Sequence, residues 1–163
     1  INYGEKKVTK FLEGFVENFA RKPSGGDRDQ IRAILSGEGD LAIVNSYYYL
    51  KMKNEDKNGK LKDLIEYYPQ DNFMNTHLNV SGAGIIKSSK NKGNAIKFLE
   101  FLLSKEGQKI YAEVNYEYPI RNDIKLNSFM SKNSKFVRDD LILSEVAAMN
   151  KKAIFMMDIA GWK

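Results

Sequence analysis

In Gly37-Glu38-Gly39-Asp40-Leu41-Ala42-Ile43-Val44-Asn45-Ser46-Tyr47-Tyr48-Tyr49, a continuous apolar run, Leu41 to Val44, stands between an aspartate and an asparagine. The run is too short for a helix, and an unbroken apolar stretch suits a strand buried on both faces. It delivers Tyr47, Tyr48 and Tyr49 at its carboxyl end, the place where open α/β sheets tend to hold ligands. Towards the N-terminus, Val8, Phe11, Leu12, Phe15, Val16 and Phe19 recur at spacings of three and four, which predicts a helix from about Glu5 to Arg21. Pro23 and Gly25-Gly26 stop it. Asp27 then stands at an N-cap position, followed by a short helix from Arg28 to Ser36 with Ile31, Ile34 and Leu35 on one side and Gly37 at its end.

Beyond the tyrosines, Leu50 to Asn54 reads as helical and Asp56 to Gly59 as a surface turn. Leu64 to Tyr68 is a second strand candidate, stopped by Pro69. His77 to Lys87 reads as a longer extended stretch whose Ser81-Gly82-Ala83-Gly84 marks a bend. Two helices in series follow: Ala95, Phe98, Leu99 and Leu102 form an apolar face, and Ser104 caps a short segment through Ile110 and Tyr111. Asn115 to Asn133 is irregular, and a last helix runs from about Ser144 with Val146, Met149, Ala153, Ile154 and Met157 at helical spacing. Strands alternating with helices argue for α/β layers.

The composition narrows the chemistry. At 163 residues the chain fits one domain or two small lobes, and no apolar run approaches the roughly 20 residues of a membrane-spanning helix. There is no Cys and one His, His77, which removes thiolate metal sites, Cys nucleophiles and multi-histidine zinc sites together. A metal would be held mainly by oxygen. The net charge of +5 comes from lysines interleaved with acids, as in Lys53-Asn54-Glu55-Asp56-Lys57, the pattern of a solvated face. Arginine, the preferred group for phosphate and base contacts, is confined to five positions, so nucleic-acid binding is a minor alternative. The chain opens at Ile1 without an initiator methionine or signal peptide, which points to a processed product or to part of a longer one.

Three tyrosines after an apolar run read first as packing aromatics that keep their hydroxyls wet. The alternative use is ferric iron. Fe³⁺ is a hard Lewis acid that favours anionic oxygen, and a phenol of pKa about 10 ionises at neutral pH once a metal stabilises the phenolate. At a turn from strand into helix the backbone can splay two adjacent phenols towards one cleft, and the helix N-terminus favours their negative charge. The turn Gly25 to Gln30 is either an ordinary capped helix start or an anion loop to which Arg28 adds charge. Ser81 to Gly84 lacks the spacing of a dinucleotide fingerprint, and His77 has no acidic relay partner and receives no role. Tyr116 and Tyr118, beside Pro119, suit either a cleft wall or loop packing.

The segments Asn18 to Pro23, Gly26 to Ile31 and Gly37 to Tyr49 together resemble the periplasmic ferric-ion-binding proteins of ABC iron importers. His77 to Gly84, Ala95 to Gln108, Tyr111 to Pro119 and the terminal Ala160-Gly161-Trp162-Lys163 are similar to the same family in the same order. The resemblance implies the C-terminal portion of a type II periplasmic binding protein, an α/β fold of two lobes that close over Fe³⁺. On it, Tyr47 and Tyr48 match the tyrosine pair that supplies two iron ligands, and Tyr49 either packs or stands behind the ligands. Asn45, Asp27 and Arg28 match positions near the iron or an accompanying anion such as carbonate. Residues 1–79 would belong to the C-lobe, 80–130 would cross into the N-lobe, and 131–163 would return. The implied protein is a periplasmic monomer that is not an enzyme, binds no nucleic acid and hands ferric iron to an inner-membrane permease. The same fold carrying an oxyanion, a phosphonate or a polyamine is the nearer alternative, and a small basic nucleic-acid module the distant one.

Overall fold

The computed structural model describes residues 1–70, 75–131, 136–139 and 141–162, with the side chain of Ser131 left aside. Their helices are α1 (Glu5–Glu17), α2 (Asp27–Leu35), α3 (Ser46–Glu55), α4 (Lys92–Leu103), α5 (Lys105–Ile110), α6 (Ser128–Ser131) and α7 (Leu143–Ile159), with a π turn over Tyr111–Asn115 directly after α5. The chain forms two compact units, Ile1–Ala42 with Asp139–Lys163, and Ile43–Arg138.

In the first unit the apolar stripe of α1 does what its spacing dictates. Phe15 stacks on Phe11 at 5.7 Å between ring centroids, meets Phe19 edge-on at 5.3 Å, and lies 5.2 Å from Trp162. Lys152 of α7 pairs with Glu5 at the start of α1. The helix ends at Glu17, earlier than the stripe suggests. Asn18 turns its Nδ2 back onto the Gly14 carbonyl at 2.7 Å, and the Phe19 amide bonds to the Val16 carbonyl, which tightens and closes the last turn. Gly26, not Asp27, is the N-cap of α2. Asp29 closes this end: its Oδ2 accepts from the Gly26 amide at 2.9 Å, and that bond, with Arg32 beside it, holds its carboxyl below the usual range. Gly25 has φ +77°, and a Cβ there would stand 2.5 Å from Asp29 Oδ2, so the glycine before the cap is required twice over.

The second unit holds α3 to α6. The helix pair expected from the apolar face and Ser104 is present: Ser104 Oγ accepts from the Gly107 amide at 3.1 Å as the N-cap of α5. Gln108, buried, donates to the Leu102 carbonyl at 2.8 Å and accepts from the Ile120 amide at 2.9 Å, tying α5 to both flanks. Gly107 is the contact point. A Cβ there would lie 2.3 Å from the Phe101 carbonyl oxygen and 2.9 Å from Leu102 Cα, both backbone atoms that cannot swing away. Gly107→Ala is therefore expected to lower stability by roughly 1–3 kcal/mol. Gly14→Ala, where a Cβ meets nothing within 4 Å, is expected to raise it by roughly 0.5–1 kcal/mol. Denaturant midpoints of the two variants check the opposite signs.

Among the described residues the strand expectations are not met. Leu41 is 85% and Ile43 74% exposed, and Ile65 in the second candidate is 90% exposed. Among the described residues, β pairing is confined to two isolated bridges, Gln70 with Asn75 and Thr76 with Arg138. A strand needs a neighbour to take up its amides and carbonyls, and Leu41 to Val44, Leu64 to Tyr68 and His77 to Lys87 find none there. The irregular stretch from Asn115 is interrupted by the π turn's last residue and by α6; its end at residues 132–133, like Lys163, lies outside the described residues.

Candidate metal centre

Helix α3 begins at Ser46, with Asn45 as its N-cap, so the tyrosines sit inside the first helical turn and not on a strand end. Successive helical residues are rotated by about 100°, which splits the triplet between two sides. Tyr49 and Leu50 point inward and are buried, at 6% and 2% exposure. The Tyr49 hydroxyl donates to the Leu64 carbonyl at 2.8 Å and accepts from Lys53 Nζ at 3.0 Å, so this phenol is committed to packing, one of the two uses the resemblance implies. Tyr47 and Tyr48 are half-buried, with ring centroids 4.5 Å apart and planes inclined at 43°. Asn45, two residues before the pair, accepts a hydrogen bond on Oδ1 from Asn79 Nδ2 at 2.8 Å.

Asn45, Tyr47 and Tyr48 are thus brought onto one short segment of the second unit. Asp27 and Arg28, the first two residues of α2, belong to the first unit and are half-buried there. The loop before them is braced by Arg21, which reaches Ser24 Oγ at 2.7 Å, Gln30 Oε1 at 3.1 Å and Glu38 Oε2 at 3.0 Å. Among the described residues no group of three or more His, Asp or Glu side chains converges as a metal site.

A second phenol pair sits elsewhere in the same unit. Tyr68 stacks on Phe136 at 4.8 Å, donates to Glu66 Oε1 at 2.7 Å and lies 3.3 Å from the Tyr118 hydroxyl. Burial, then the hydrogen bonds to Tyr118 and Glu66, push the Tyr68 phenol far above its usual range; burial raises Tyr118 too. Both stay protonated at neutral pH, the opposite of what a ferric ligand needs. Tyr118 is therefore a packing residue, and Tyr116, 9% exposed with a left-handed φ of +59°, is built into the turn. The raised values carry a sign: stability from this cluster is present below about pH 10, the unfolded phenol pKa, and is lost as pH rises above it. Alkaline unfolding of Tyr68→Phe is expected to be shallower than wild type above pH 10, measured by urea midpoints.

Sequence reasoning missed Asn79, Lys51, Asn115 and Glu117. Lys51 Nζ donates to Asn115 Oδ1 at 3.0 Å, Asn115 Nδ2 donates to Glu117 Oε1 at 2.9 Å, and Ser81 Oγ donates to Glu117 Oε2 at 3.3 Å. No spacing rule links positions 51, 81, 115 and 117, and only contact reveals them.

Residues 4–109 match the family described as Bacterial extracellular solute-binding protein. The chain belongs to that family. It is 37% identical over 163 residues to "Iron uptake protein A1" of Synechocystis sp., covering 98% of this chain and 45% of that protein. With the "Major ferric iron-binding protein" of Neisseria meningitidis it shares 34% identity over 122 residues, 72% of this chain and 34% of that protein. Among solved structures, the ferric binding protein from Campylobacter jejuni superposes with a TM-score of 0.91 at 38% identity, over 99% of this chain and 52% of that one. The apo ferric ion-binding protein A of Pasteurella haemolytica gives 0.92 at 39% identity, over 98% and 50%. The chain spans about half the length, or less, of the curated relatives it matches. Its fold is that of a type II periplasmic binding protein over that share, and the resemblance read from the tyrosine stretch and its companions is borne out.

Proposed function

We propose that this solute-binding protein captures ferric iron through the phenolates of Tyr47 and Tyr48 and delivers it in the periplasm to the inner-membrane permease of an ABC importer. The observation that carries the reading is the pair itself: two half-exposed phenols, rings 4.5 Å apart, on the first turn of a ten-residue helix. The N-terminal field of that helix favours phenolate, and phenolate suits a hard trivalent ion. The names of the relatives, iron uptake and ferric iron-binding proteins, support the cargo.

Each phenol must release its proton as iron enters, so binding weakens as pH falls. Asn45, with Asp27 and Arg28, is assigned to a synergistic anion such as carbonate or to the surroundings of the iron. Residues 1–79 and 131–163 are assigned to the C-lobe and 80–130 to the N-lobe, with lobe closure completing the ligand set and opening releasing the ion. The protein works as a monomer and binds without turning over its cargo.

Calorimetry on the complete polypeptide tests the cargo. Ferric citrate is expected to bind, while phosphate, a phosphonate, a polyamine and duplex DNA are not. Tight binding of any of these in place of iron would overturn the reading.

A further inference from the structure

We propose that Asn79 and the side-chain series Lys51, Asn115, Glu117 and Ser81 are positioning residues that hold α3, and with it the Tyr47–Tyr48 pair, in the geometry that binds ferric iron. The inference rests on the tyrosine reading above and adds residues to which that reading gives no role.

Two fasteners act on the first two turns of α3. At its N-cap, Asn45 makes no side-chain cap bond to its own helix; its Oδ1 instead accepts from Asn79 Nδ2 at 2.8 Å. One turn on, Lys51 stands four residues after Tyr47 and three after Tyr48, the spacings that place side chains on one side of a helix. Lys51 is half-buried, and its ammonium is held by Asn115 Oδ1 at 3.0 Å. Asn115 passes the connection to Glu117, whose second oxygen takes the Ser81 hydroxyl at 3.3 Å. Both fasteners end on residues 79 and 81, and on the lobe assignment proposed above the Lys51–Asn115 bond joins α3 of the C-lobe to a turn of the N-lobe, so it holds α3 while the lobes stand as they do in this structure. The series runs from a cation to a carboxylate through one amide, and hydrogen bonds to ionised groups are roughly twice as strong as neutral ones.

The turn that presents Asn115 and Glu117 is itself unusual. A π turn ends at Asn115, and Tyr116 follows in the left-handed region, a conformation that side-chain-bearing residues seldom adopt. The Glu117 amide bonds back to the Tyr111 carbonyl at 3.1 Å and locks the turn. A strained turn of this kind persists where its surroundings determine it. Here it places an amide and a carboxylate two residues apart, linking α3 to Ser81.

Metal ligands need their supporting shell. Losing such a partner typically lowers metal affinity about 10–100-fold. The experiment uses the complete polypeptide loaded with ferric citrate, and measures iron loss to a competing chelator at a temperature where circular dichroism shows every variant folded. Asn79→Ala and Glu117→Ala are each expected to bind about 10–100-fold more weakly, with the phenolate-to-iron absorption maximum unmoved, because both phenolates remain. Glu117→Gln keeps an acceptor for Asn115 and gains a donor for Ser81 but loses the charge, so it is expected to lose clearly less affinity than Glu117→Ala. Wild-type release rates in both alanine variants would overturn the inference. So would a glutamine variant as weak as the alanine one, which would make Glu117 a charge and not a bridge. A wild-type protein that shows no absorption band would instead overturn the tyrosine reading, and this inference with it.

Discussion

Tyr47→Phe/Tyr48→Phe is expected to lose the ferric charge-transfer band and to bind iron at least about a thousandfold more weakly, a loss of roughly 4 kcal/mol. The substitutions keep both rings, which make the 4.5 Å contact. Only the two oxygens leave, and with them the anionic donors that a hard trivalent ion requires. Each single variant is expected to fall between wild type and the double, with a shifted and weaker band. Tyr49→Phe is the internal control. Its hydroxyl is spent on the Leu64 carbonyl and Lys53, so that variant is expected to lose about 1 kcal/mol of stability while keeping the band and the affinity. Chelator competition and urea titration on the same four proteins separate the ligand phenols from the packing phenol. A double variant that binds iron like wild type would remove Tyr47 and Tyr48 from the site.

The second large effect concerns apolar surface. On α4, Phe98 is 60% and Leu103 54% exposed; on α7, Ile154, Phe155 and Ile159 are 53–64% exposed; Leu41, Ile43 and Ile65 reach 74–90%. Scattered exposed apolar residues are ordinary, but helices bare on their apolar sides are not. Residues 1–163 expressed by themselves are therefore expected to bind the dye ANS strongly and to self-associate with rising concentration. The complete polypeptide is expected to do neither. Fluorescence titration and sedimentation velocity on both species check this. A monomeric, dye-silent 163-residue chain would mean that these faces find partners within the chain.

The helices were legible because their signals are local. The spacing of Phe11, Phe15 and Phe19, the Ser104 cap and the stripe from Val146 to Met157 each depend on residues within a turn or two, and each appears as a helix within a few positions of its expected ends. Strand signals are different in kind. Leu41 to Val44 has the composition of a buried strand, but a strand is completed by a neighbour at any distance along a chain, and among the described residues none pairs with it. The cap of α2 shows a finer limit. Asp27 and Asp29 both suit a helix start, and the choice fell to Asp29 because its carboxylate reaches the Gly26 amide across a glycine turn.

At the proposed site, the closeness of Tyr47 and Tyr48 was legible because adjacent residues stay together whatever the local fold, while residue types alone left packing and iron binding both open. The separation of Tyr49 from its neighbours followed from the family resemblance and has a simple geometric cause, the helical rotation that turns it towards Leu64. Asn79, Lys51, Asn115 and Glu117 were not legible. Their relation joins positions up to 64 residues apart through polar atoms, and nothing in the local pattern distinguishes them from other surface asparagines, lysines and glutamates.

The measurement that bears most directly on the central claim is a ferric citrate titration of the complete polypeptide followed in the visible region. The phenolate reading predicts a charge-transfer band that grows to saturation at one iron per chain and fades on acidification as the phenols regain their protons. A wild-type protein that takes up iron without such a band, or takes up none, would contradict it.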